Sequence, residues 1–237
     1  MPQVAQSVSF PGARWLDGYL ALPESAGGGP CPGVVVIHEI FGLTDSIRSV
    51  ADRLAAEGYA ALAVDLFAGR NRVVRTARFI DGLLARSLDH EGIRDLKASL
   101  GYLAGLPEVD GDRLGALGFS MGGSFASAWA CTDERLKAVA SFYGVNPRPL
   151  EAVRDSCPVV GSFPGKDFTG GQAEQLEKEL ERSGVPHDIK IYPAARHSFF
   201  DDQRRAHDAD AAGDSWRRTT AFFRQHIGRN AACEQRP

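Results

Sequence analysis

The chain has 237 residues, of which 43% are hydrophobic and 24% are charged. These shares are typical of a globular protein, and they exclude a disordered chain, a fibrous repeat and a coiled coil. The 27 basic and 30 acidic residues give a net charge of −3, so no basic surplus points to a nucleic-acid or membrane-surface partner. A chain of this length is expected to form a single domain over residues 1–237.

The start of the chain and the cysteine spacing indicate the cellular compartment in which the protein is expected. No basic segment followed by an apolar run opens the chain, so no signal peptide is predicted. The apolar stretches, such as the one at 33–37, are too short to span a bilayer. The cysteines lack CxxC spacing, which argues against a disulfide framework and a structural zinc site. We therefore expect a cytoplasmic protein with four reduced thiols, at Cys31, Cys131, Cys157 and Cys233.

Strand and helix patterns alternate along the chain. Trp15–Leu22 alternates roughly between apolar and polar residues and predicts an edge strand. The β-branched run at 33–37 is typical of a strand buried on both faces of a parallel sheet. A helix capped by Thr44 or Asp45 is predicted to run to Glu57. Further strands are predicted at Ala60–Asp65, 113–119, 137–143, 158–163 and His187–Tyr192, and further helices at 75–86, 91–103, 122–130, 172–183 and 208–226.

This alternation predicts an α/β fold in which a mainly parallel sheet carries helices on both faces. No internal repeat, low-complexity tract or linker interrupts the pattern. The interval 143–158 is too short to hold a cap domain. We therefore expect the functional site to be small and open to solvent.

A possible nucleophile lies where the strand at 113–119 meets the next helix. The residues there are Gly118, Phe119, Ser120, Met121 and Gly122, a G-x-S-x-G pattern. A strand before this pattern and a small-residue helix after it are the context of a nucleophile elbow. The hydroxyl would project above the sheet, and the N–H of the next residue, at the helix start, would stabilise an oxyanion. The alternative is a glycine-rich turn that merely connects two elements.

A serine hydroxyl needs a base to take its proton. His197 is the favoured candidate, because it follows strand His187–Tyr192 across a short loop and so lies at the carboxyl edge of the sheet. His38 also ends a strand and is the rival. Of the remaining histidines, His90 and His226 are expected on solvated helix faces. His187 opens a strand at the opposite edge of the sheet, and His207 lies in a charged stretch.

The base in turn needs a carboxylate that holds its tautomer. Asp167 follows the strand at 158–163 and Asp65 ends an earlier one, so both are candidates at the carboxyl edge. The order Ser120, Asp167, His197 matches the Ser…Asp…His order of α/β-hydrolases and favours Asp167. A single-domain α/β-hydrolase fold without a cap domain is therefore predicted.

The loop after the first buried strand supplies a second oxyanion donor in this fold. The loop begins His38, Glu39, Ile40, Phe41, Gly42, and we assign the donor to the Ile40 N–H. The spacing is not that of an HExxH zinc site, because glycine stands at the last position.

Several short motifs together resemble the dienelactone hydrolase family, over about residues 32–223. They are HEIFG at 38–42, DLFA at 65–68, the elbow, SFYG at 141–144, GKD at 165–167 and RHSF at 196–199. The resemblance implies a compact α/β-hydrolase that opens lactones through a covalent acyl-enzyme, without a metal or other cofactor. It also places Phe41, Arg78 and Ser198 as candidate contacts to the substrate.

Two positions depart from the pattern of this family. The family's nucleophile is usually cysteine, and its loop glutamate contacts that thiol; here Ser120 stands at that position while Glu39 remains. The family's lactone carries a carboxylate held by arginines, and one of these falls where this chain has Asp201. Four other arginines could bind an anion: Arg70, Arg72, Arg75 and Arg78. The alternative is that they form a solvated basic face.

Together these patterns predict a serine hydrolase that cleaves small carboxylic esters or lactones. Its partner would be a small-molecule substrate, and the protein would be a monomer or a small homo-oligomer. The same triad also serves thioesters and amides, so these remain alternatives. A rival from another class is a non-catalytic binding protein with the same fold, because fold does not fix function.

Overall fold

The computed structural model describes residues 4–12, 15–24, 29–67, 71–85 and 87–228. Positions 68, 70, 86 and 233, which some of the sequence predictions include, lie outside these ranges. The strands are β1 (Val4–Pro11), β2 (Trp15–Leu22), β3 (Cys31–Ile37), β4 (Ala60–Asp65), β5 (Val109–Phe119), β6 (Leu136–Phe142), β7 (Val159–Pro164) and β8 (His187–Tyr192). The α-helices are α1 (Asp45–Ala56), α2 (Arg72–Ala85), α3 (Glu91–Ala104), α4 (Met121–Ala130), α5 (Gly170–Ser183) and α6 (Ala209–Ile227).

The strands form one sheet in the order β1-β2-β4-β3-β5-β6-β7-β8. All pairs from β4 to β8 are parallel, whereas β2 is antiparallel to both β1 and β4. The predicted α/β fold with a mainly parallel sheet is therefore confirmed. The sequence prediction of an edge strand at Trp15–Leu22 is wrong in one respect, because β1 covers the outer side of β2.

Helices cover both faces of the sheet, and the side chains of β3 pack against both helical layers. Every residue of β3 is buried. Val35 and Ile37 join a core cluster with the apolar side chains of α3 and α4, whereas Val34 and Val36 join a second cluster with those of α1 and α6. Because side chains alternate along a strand, a run without polar residues is what a strand between two helical layers requires.

The carboxyl ends of the parallel strands meet at one edge of the sheet, where the loops after β3, β5, β6, β7 and β8 lie together. Between β6 and β7 the chain forms a short 3₁₀ helix, Leu150–Asp155, and no inserted domain. No α-helix within the described ranges is both long and apolar enough to cross a membrane. The residues that could carry chemistry are therefore those on these loops.

Candidate active site

The turn between β5 and α4 holds Ser120 in a strained backbone conformation. Its φ is 53° and its ψ is −115°, outside the regions that residues other than glycine prefer. The Ser120 N–H donates to the carbonyl of Phe142 at 2.9 Å, which fixes the turn against β6. The hydroxyl is thereby presented above the carboxyl edge of the sheet.

The glycines on either side of Ser120 permit close backbone contacts. A Cβ atom on Gly118 would lie 2.0 Å from the carbonyl oxygen of Gly122. A Cβ atom on Gly122 would lie 2.3 Å from the carbonyl oxygen of Ile37, at the end of β3. Any side chain at either position would therefore push α4 away from the sheet and move the serine with it.

A chain of hydrogen bonds joins three of the residues singled out from the sequence. The Oγ of Ser120 lies 2.8 Å from the Nε2 of His197. On the other side of the ring, the Nδ1–H of His197 donates to the Oδ2 of Asp167. The Thr169 hydroxyl donates to the same Oδ2 at 3.1 Å, which orients the carboxylate. The structure therefore brings Ser120, His197 and Asp167 together in the order that a serine nucleophile requires.

The loops that carry His197 and Asp167 are tied to each other by backbone hydrogen bonds. The Gly165 N–H donates to the carbonyl of Tyr192 at 2.8 Å, and the Lys166 N–H donates to that of Ala195 at 3.1 Å. The Asp167 side chain is only 6% exposed, whereas the His197 side chain is 34% exposed. The carboxylate is thus held inside the protein while one edge of the imidazole remains open to solvent.

Two aromatic rings flank the imidazole of His197. The ring of Tyr143, which is buried, lies 5.0 Å away between centroids and is tilted by 58°. The ring of Phe168 lies 5.9 Å away and is nearly parallel, at 16°, and this residue is 74% exposed. Neither residue was predicted from the sequence, although Tyr143 stands within the SFYG motif and Phe168 directly follows Asp167.

The rival histidine, His38, has both ring nitrogens engaged in the interior. Its Nδ1–H donates to the carbonyl of Glu39, and its Nε2 accepts from the N–H of Leu66 at 3.1 Å. Burial lowers the pKa of His38, so the ring is neutral and braces two loops. The competing carboxylate, Asp65, accepts from the N–H of Phe67 at 2.9 Å. Neither residue has a hydrogen bond or an ion pair with Ser120 or His197.

His90 differs from its sequence prediction. It is buried rather than solvated, and it caps α3 by accepting from the N–H of Gly92 at 3.1 Å. Its ring packs against Phe125, with 4.8 Å between centroids. Burial lowers the pKa of His90 to about 4, so the ring is neutral near pH 7. The polar neighbours of His90 in sequence gave no sign of this, because the apolar contact comes from α4.

The two predicted oxyanion donors lie on separate elements at the carboxyl edge of the sheet, Met121 next to Ser120 in the chain and Ile40 in the loop after β3. Met121 is the first residue of α4, so its N–H has no acceptor within the helix. The Ile40 N–H lies in the loop after β3 and donates no hydrogen bond among the described residues. Two unused donors at a helix start and a neighbouring loop are what an oxyanion site consists of.

Glu39 lies in a buried polar cluster next to the candidate triad. The Ser198 hydroxyl donates to its carboxylate at 3.1 Å, and the buried Tyr143 hydroxyl faces it. Burial raises the pKa of Glu39, and the bond from Ser198 and the nearby Tyr143 and His197 oppose that rise. Glu39 is therefore turned toward Ser198 and not bonded to Ser120.

Backbone strain is concentrated at this site. Among the described residues, the non-glycine residues with positive φ are Ser120 at 53°, Tyr143 at 42° and Ser198 at 61°. Each lies at the carboxyl edge of the sheet and touches the chain of hydrogen bonds or the Glu39 cluster. Strained residues persist only where the surroundings hold them, and they gather at functional sites.

Two of the arginines considered as anion-binding residues, Arg75 and Arg78, are paired with carboxylates. The Arg78 side chain is 60% exposed and lies 3.4 Å from the carboxylate of Glu91, on α3. Arg75 contradicts the expectation of a solvated basic face, because it is buried, donates to the Leu66 carbonyl and pairs with Asp95 and Glu91 at 3.3 Å. These contacts are needed to compensate for the burial of a guanidinium.

Phe41, another of the three predicted substrate contacts, lies against a cation from the loop after β8. The guanidinium of Arg204 lies 3.7 Å from the centre of the Phe41 ring and pairs with Asp201 at 3.3 Å. This contact links the loop of the Ile40 donor to the loop of His197. A groove of about 640 Å³ opens beyond Asp201, between α1 and residues 200–213, and no member of the candidate triad lines it.

A family model described as "Dienelactone hydrolase family" matches residues 16–227. The chain belongs to the dienelactone hydrolase family. This membership confirms the resemblance drawn from the motifs, and the prediction of an ester-bond hydrolase is confirmed at the level of the family.

Individual relatives are similar to this dienelactone hydrolase family member in sequence and in structure over nearly its whole length. The "Putative carboxymethylenebutenolidase" of Synechocystis sp. is 32% identical, over 90% of this chain and 92% of that protein. A crystal structure of a dienelactone hydrolase-like promiscuous phosphotriesterase from metagenomic libraries has a TM-score of 0.84 and 27% identity, covering 96% of this chain and all of that one.

More distant structures share only the fold with this family member. The acylaminoacyl peptidase of Pyrococcus horikoshii has a TM-score of 0.76 at 17% identity, over 97% of this chain and 43% of that protein. The α/β-hydrolase architecture is therefore common to proteins of quite different size. A shared fold does not fix chemistry, which depends on the residues at the site.

Proposed function

We propose that this protein is a serine hydrolase that cleaves small carboxylic esters or lactones through an acyl-enzyme. The observation that carries the proposal is the 2.8 Å contact between the Oγ of Ser120 and the Nε2 of His197, backed by the bond from His197 to Asp167. A serine hydroxyl does not ionise near pH 7, so a neighbouring base is the condition for its reactivity. The turn between β5 and α4 also presents the Ser120 hydroxyl above the carboxyl edge of the sheet, where a substrate can reach it.

In the first step, the Oγ of Ser120 attacks the substrate carbonyl carbon while its proton passes to the Nε2 of His197. The carbonyl oxygen becomes an oxyanion, which the N–H groups of Met121 and Ile40 stabilise. Asp167 accepts the Nδ1–H bond throughout and stabilises the imidazolium that forms. The tetrahedral centre then collapses, the bond to the leaving oxygen breaks, and the Nε2 proton moves to that oxygen.

The second half returns the enzyme to its starting state. A water molecule gives a proton to the Nε2 of His197 and attacks the acyl carbon. Collapse of the second tetrahedral centre breaks the bond to the Oγ of Ser120, and the proton on Nε2 returns to Oγ. The products are one acid and one alcohol, or a single hydroxy acid when the substrate is a lactone.

A fluorophosphonate probe tests the nucleophile directly. The wild-type protein should gain a single covalent adduct, located on Ser120 by peptide mass spectrometry, and Ser120→Ala should gain none. Ser49→Ala, which changes an exposed serine on α1, should be labelled like the wild type. Ser120→Ala and His197→Ala should each lower kcat by about 10³–10⁶-fold on an activated ester, because triad members act as a unit.

The same experiment separates the proposal from its rivals. A non-catalytic binding protein would take no adduct and would hydrolyse no ester, which would reject the proposal. A thioesterase or amidase would take the adduct but favour thioesters or amides in a panel with one constant acyl group. Near-wild-type esterase activity in Ser120→Ala would likewise rule out the assigned nucleophile.

A further inference from the structure

Phe168 is an exposed aromatic residue beside a buried part of the candidate site. Its neighbours in the chain are the nearly buried Asp167 carboxylate and the fully buried Thr169. The Phe168 side chain itself is 74% exposed, so it contributes little to the core. Its ring lies nearly parallel to the imidazole of His197, at 16° and 5.9 Å between centroids.

The proposed mechanism defines which part of a substrate comes near this ring. In the tetrahedral intermediate, the oxyanion faces the N–H groups of Met121 and Ile40. The leaving oxygen must face the Nε2 of His197, because it takes the proton held there. The alcohol group of the ester, which is attached to the leaving oxygen, therefore lies along the side chains that border His197 on its solvent side.

The two rings that flank His197 differ in what they offer to a substrate. Tyr143 is buried and its hydroxyl faces Glu39, so this ring belongs to the interior. Phe168 is the flanking ring that solvent reaches, and its stacked position sets an apolar wall beside the imidazole. An alkyl or aryl group lying on this wall would remove apolar surface from water, and an aryl group would also stack.

We infer that Phe168 is a specificity residue that selects esters with an apolar, preferably aromatic, alcohol group. The inference rests on the proposed function, because it uses the position of the leaving oxygen at His197. It names the alcohol side of the ester and leaves the acyl side to other residues. Benzyl esters of short acids are the simplest substrates that carry these features.

Three esters separate the alcohol side from the acyl side. Benzyl acetate and ethyl acetate share one acyl group, and their alcohols are similar in acidity, so they differ mainly in the group that reaches Phe168. Ethyl phenylacetate carries its aromatic ring on the acyl side. We expect the wild-type kcat/KM to be about tenfold higher for benzyl acetate than for ethyl acetate, the size of a favourable aromatic contact plus burial.

Substitution of Phe168 should then change one substrate selectively. Phe168→Ala should lower kcat/KM for benzyl acetate by about tenfold and change the other two esters by less than about threefold. Phe168→Tyr keeps the aromatic face and should retain the benzyl preference. Trp15→Ala removes another exposed aromatic side chain, three strand spacings from β5 in the sheet, and should leave all three esters unchanged.

Several results would overturn the inference. An equal fall for all three esters would mean that Phe168 only holds His197 in place. A selective fall for ethyl phenylacetate would put the wall on the acyl side. An active wild-type enzyme without a benzyl preference rejects the inference alone, whereas a protein that takes no fluorophosphonate and hydrolyses no ester rejects the proposed function and the inference with it.

Discussion

At the scale of single residues, two aspartates lie at the carboxyl edge, Asp65 at the end of β4 and Asp167 in the loop after β7, and Asp167 is the one that contacts His197. Asp167→Asn keeps the shape of the side chain but favours the wrong imidazole tautomer, so kcat should fall by up to about 10⁴-fold. Asp65→Asn should cost far less, because Asp65 caps a turn through the N–H of Phe67. Steady-state kinetics on one activated ester measures both, and equal losses would mean that the wrong carboxylate has been chosen.

Glu39 provides a second prediction at this scale. A thiol has a free pKa near 8.5 and ionises readily, whereas a serine hydroxyl does not, so a nearby carboxylate has no resting anion to tune in this protein. Glu39→Gln should therefore change kcat/KM only modestly in the Ser120 enzyme. In a Ser120→Cys background the same change should have a larger effect, because a thiolate then becomes possible.

A double-mutant cycle on one activated ester measures this difference. The cycle compares wild type, Glu39→Gln, Ser120→Cys and the double variant. Additive changes would contradict the prediction, since they would mean that Glu39 acts alike on the hydroxyl and the thiol. The bond from Ser198 to Glu39 makes Ser198→Ala a useful companion, because that change leaves the carboxylate with fewer partners.

The charge of the substrate forms a third prediction. Asp201 stands where the family has an arginine, and two candidate cations are engaged by carboxylates, Arg204 by Asp201 and Arg78 by Glu91. A carboxylate on the substrate would therefore meet Asp201 where an arginine would have bound it, and a missing charge-assisted hydrogen bond is worth about 1.5–3 kcal/mol. Neutral ethyl butyrate should show a higher kcat/KM than the anionic monoethyl succinate. A preference for the anion would give an arginine the role of binding it.

At the scale of secondary-structure elements, the contact between α4 and β3 sets how tightly the elbow is held. In Gly122→Ala, the new Cβ would lie 2.3 Å from the Ile37 carbonyl and 2.7 Å from that of His38, both of which are backbone atoms. We expect a loss of at least about 2 kcal/mol in the free energy of unfolding, since backbone cannot yield as a side chain can. Urea denaturation measures it.

A matched glycine in another helix is the control for this prediction. Gly171 lies in the first turn of α5, and a Cβ atom there would meet no atom within 4 Å. Gly171→Ala should be neutral or slightly stabilising, because alanine restricts the unfolded chain and favours the helix. If both variants lost the same stability, the close approach of α4 to β3 would not be the cause.

Most elements could be predicted because their signals are local. The sequence shows the apolar run of β3 and a capping residue, Thr44, before α1. In the structure the Thr44 hydroxyl accepts from the Ile47 N–H, as expected of a helix cap. β1 escaped prediction because only Phe10 on it is buried, so the strand has almost no apolar pattern. Its existence depends on pairing with β2, which is a contact between segments and not a property of either one.

The site shows the same division between local and tertiary signals. Ser120, Asp167 and His197 were predictable because each follows a strand, and the carboxyl ends of parallel strands meet. The role of His90 as a buried cap and the burial of Arg75 depend on helices that pack from elsewhere in the chain. The stacking of Phe168 on His197 likewise joins two loops that have no common sequence pattern.

At the scale of the whole molecule, the buried histidines make stability depend on pH. The pKa of His90 is about 4 in the folded protein, below its ordinary value of 6.5. The unfolded chain therefore binds more protons between these values, and the free energy of unfolding falls as the pH is lowered through this window. The loss from His90 reaches up to about 3 kcal/mol and levels off below pH 4. Burial shifts the pKa of His38 in the same direction.

A single substitution isolates this contribution. His90→Asn keeps a side-chain oxygen to accept from the N–H of Gly92 but removes the titrating ring. Urea denaturation at about pH 7 and about pH 5 should give a smaller difference in unfolding free energy for the variant than for the wild type. An unchanged difference would mean that His90 does not titrate on unfolding in this range.

The spacing of the proposed nucleophile and base has a consequence for how the activity arises during synthesis. Ser120 and His197 are 77 residues apart, and β8, which precedes the base, is an edge strand of the sheet and the last one along the chain. Protein chains leave the ribosome with the amino end first, and the earlier segments can fold before the later ones exist. A growing chain therefore holds a serine without its base until the last strand has docked. Ester cleavage by the proposed triad would then require the finished sheet, and a chain that terminates before His197 would lack the proposed base.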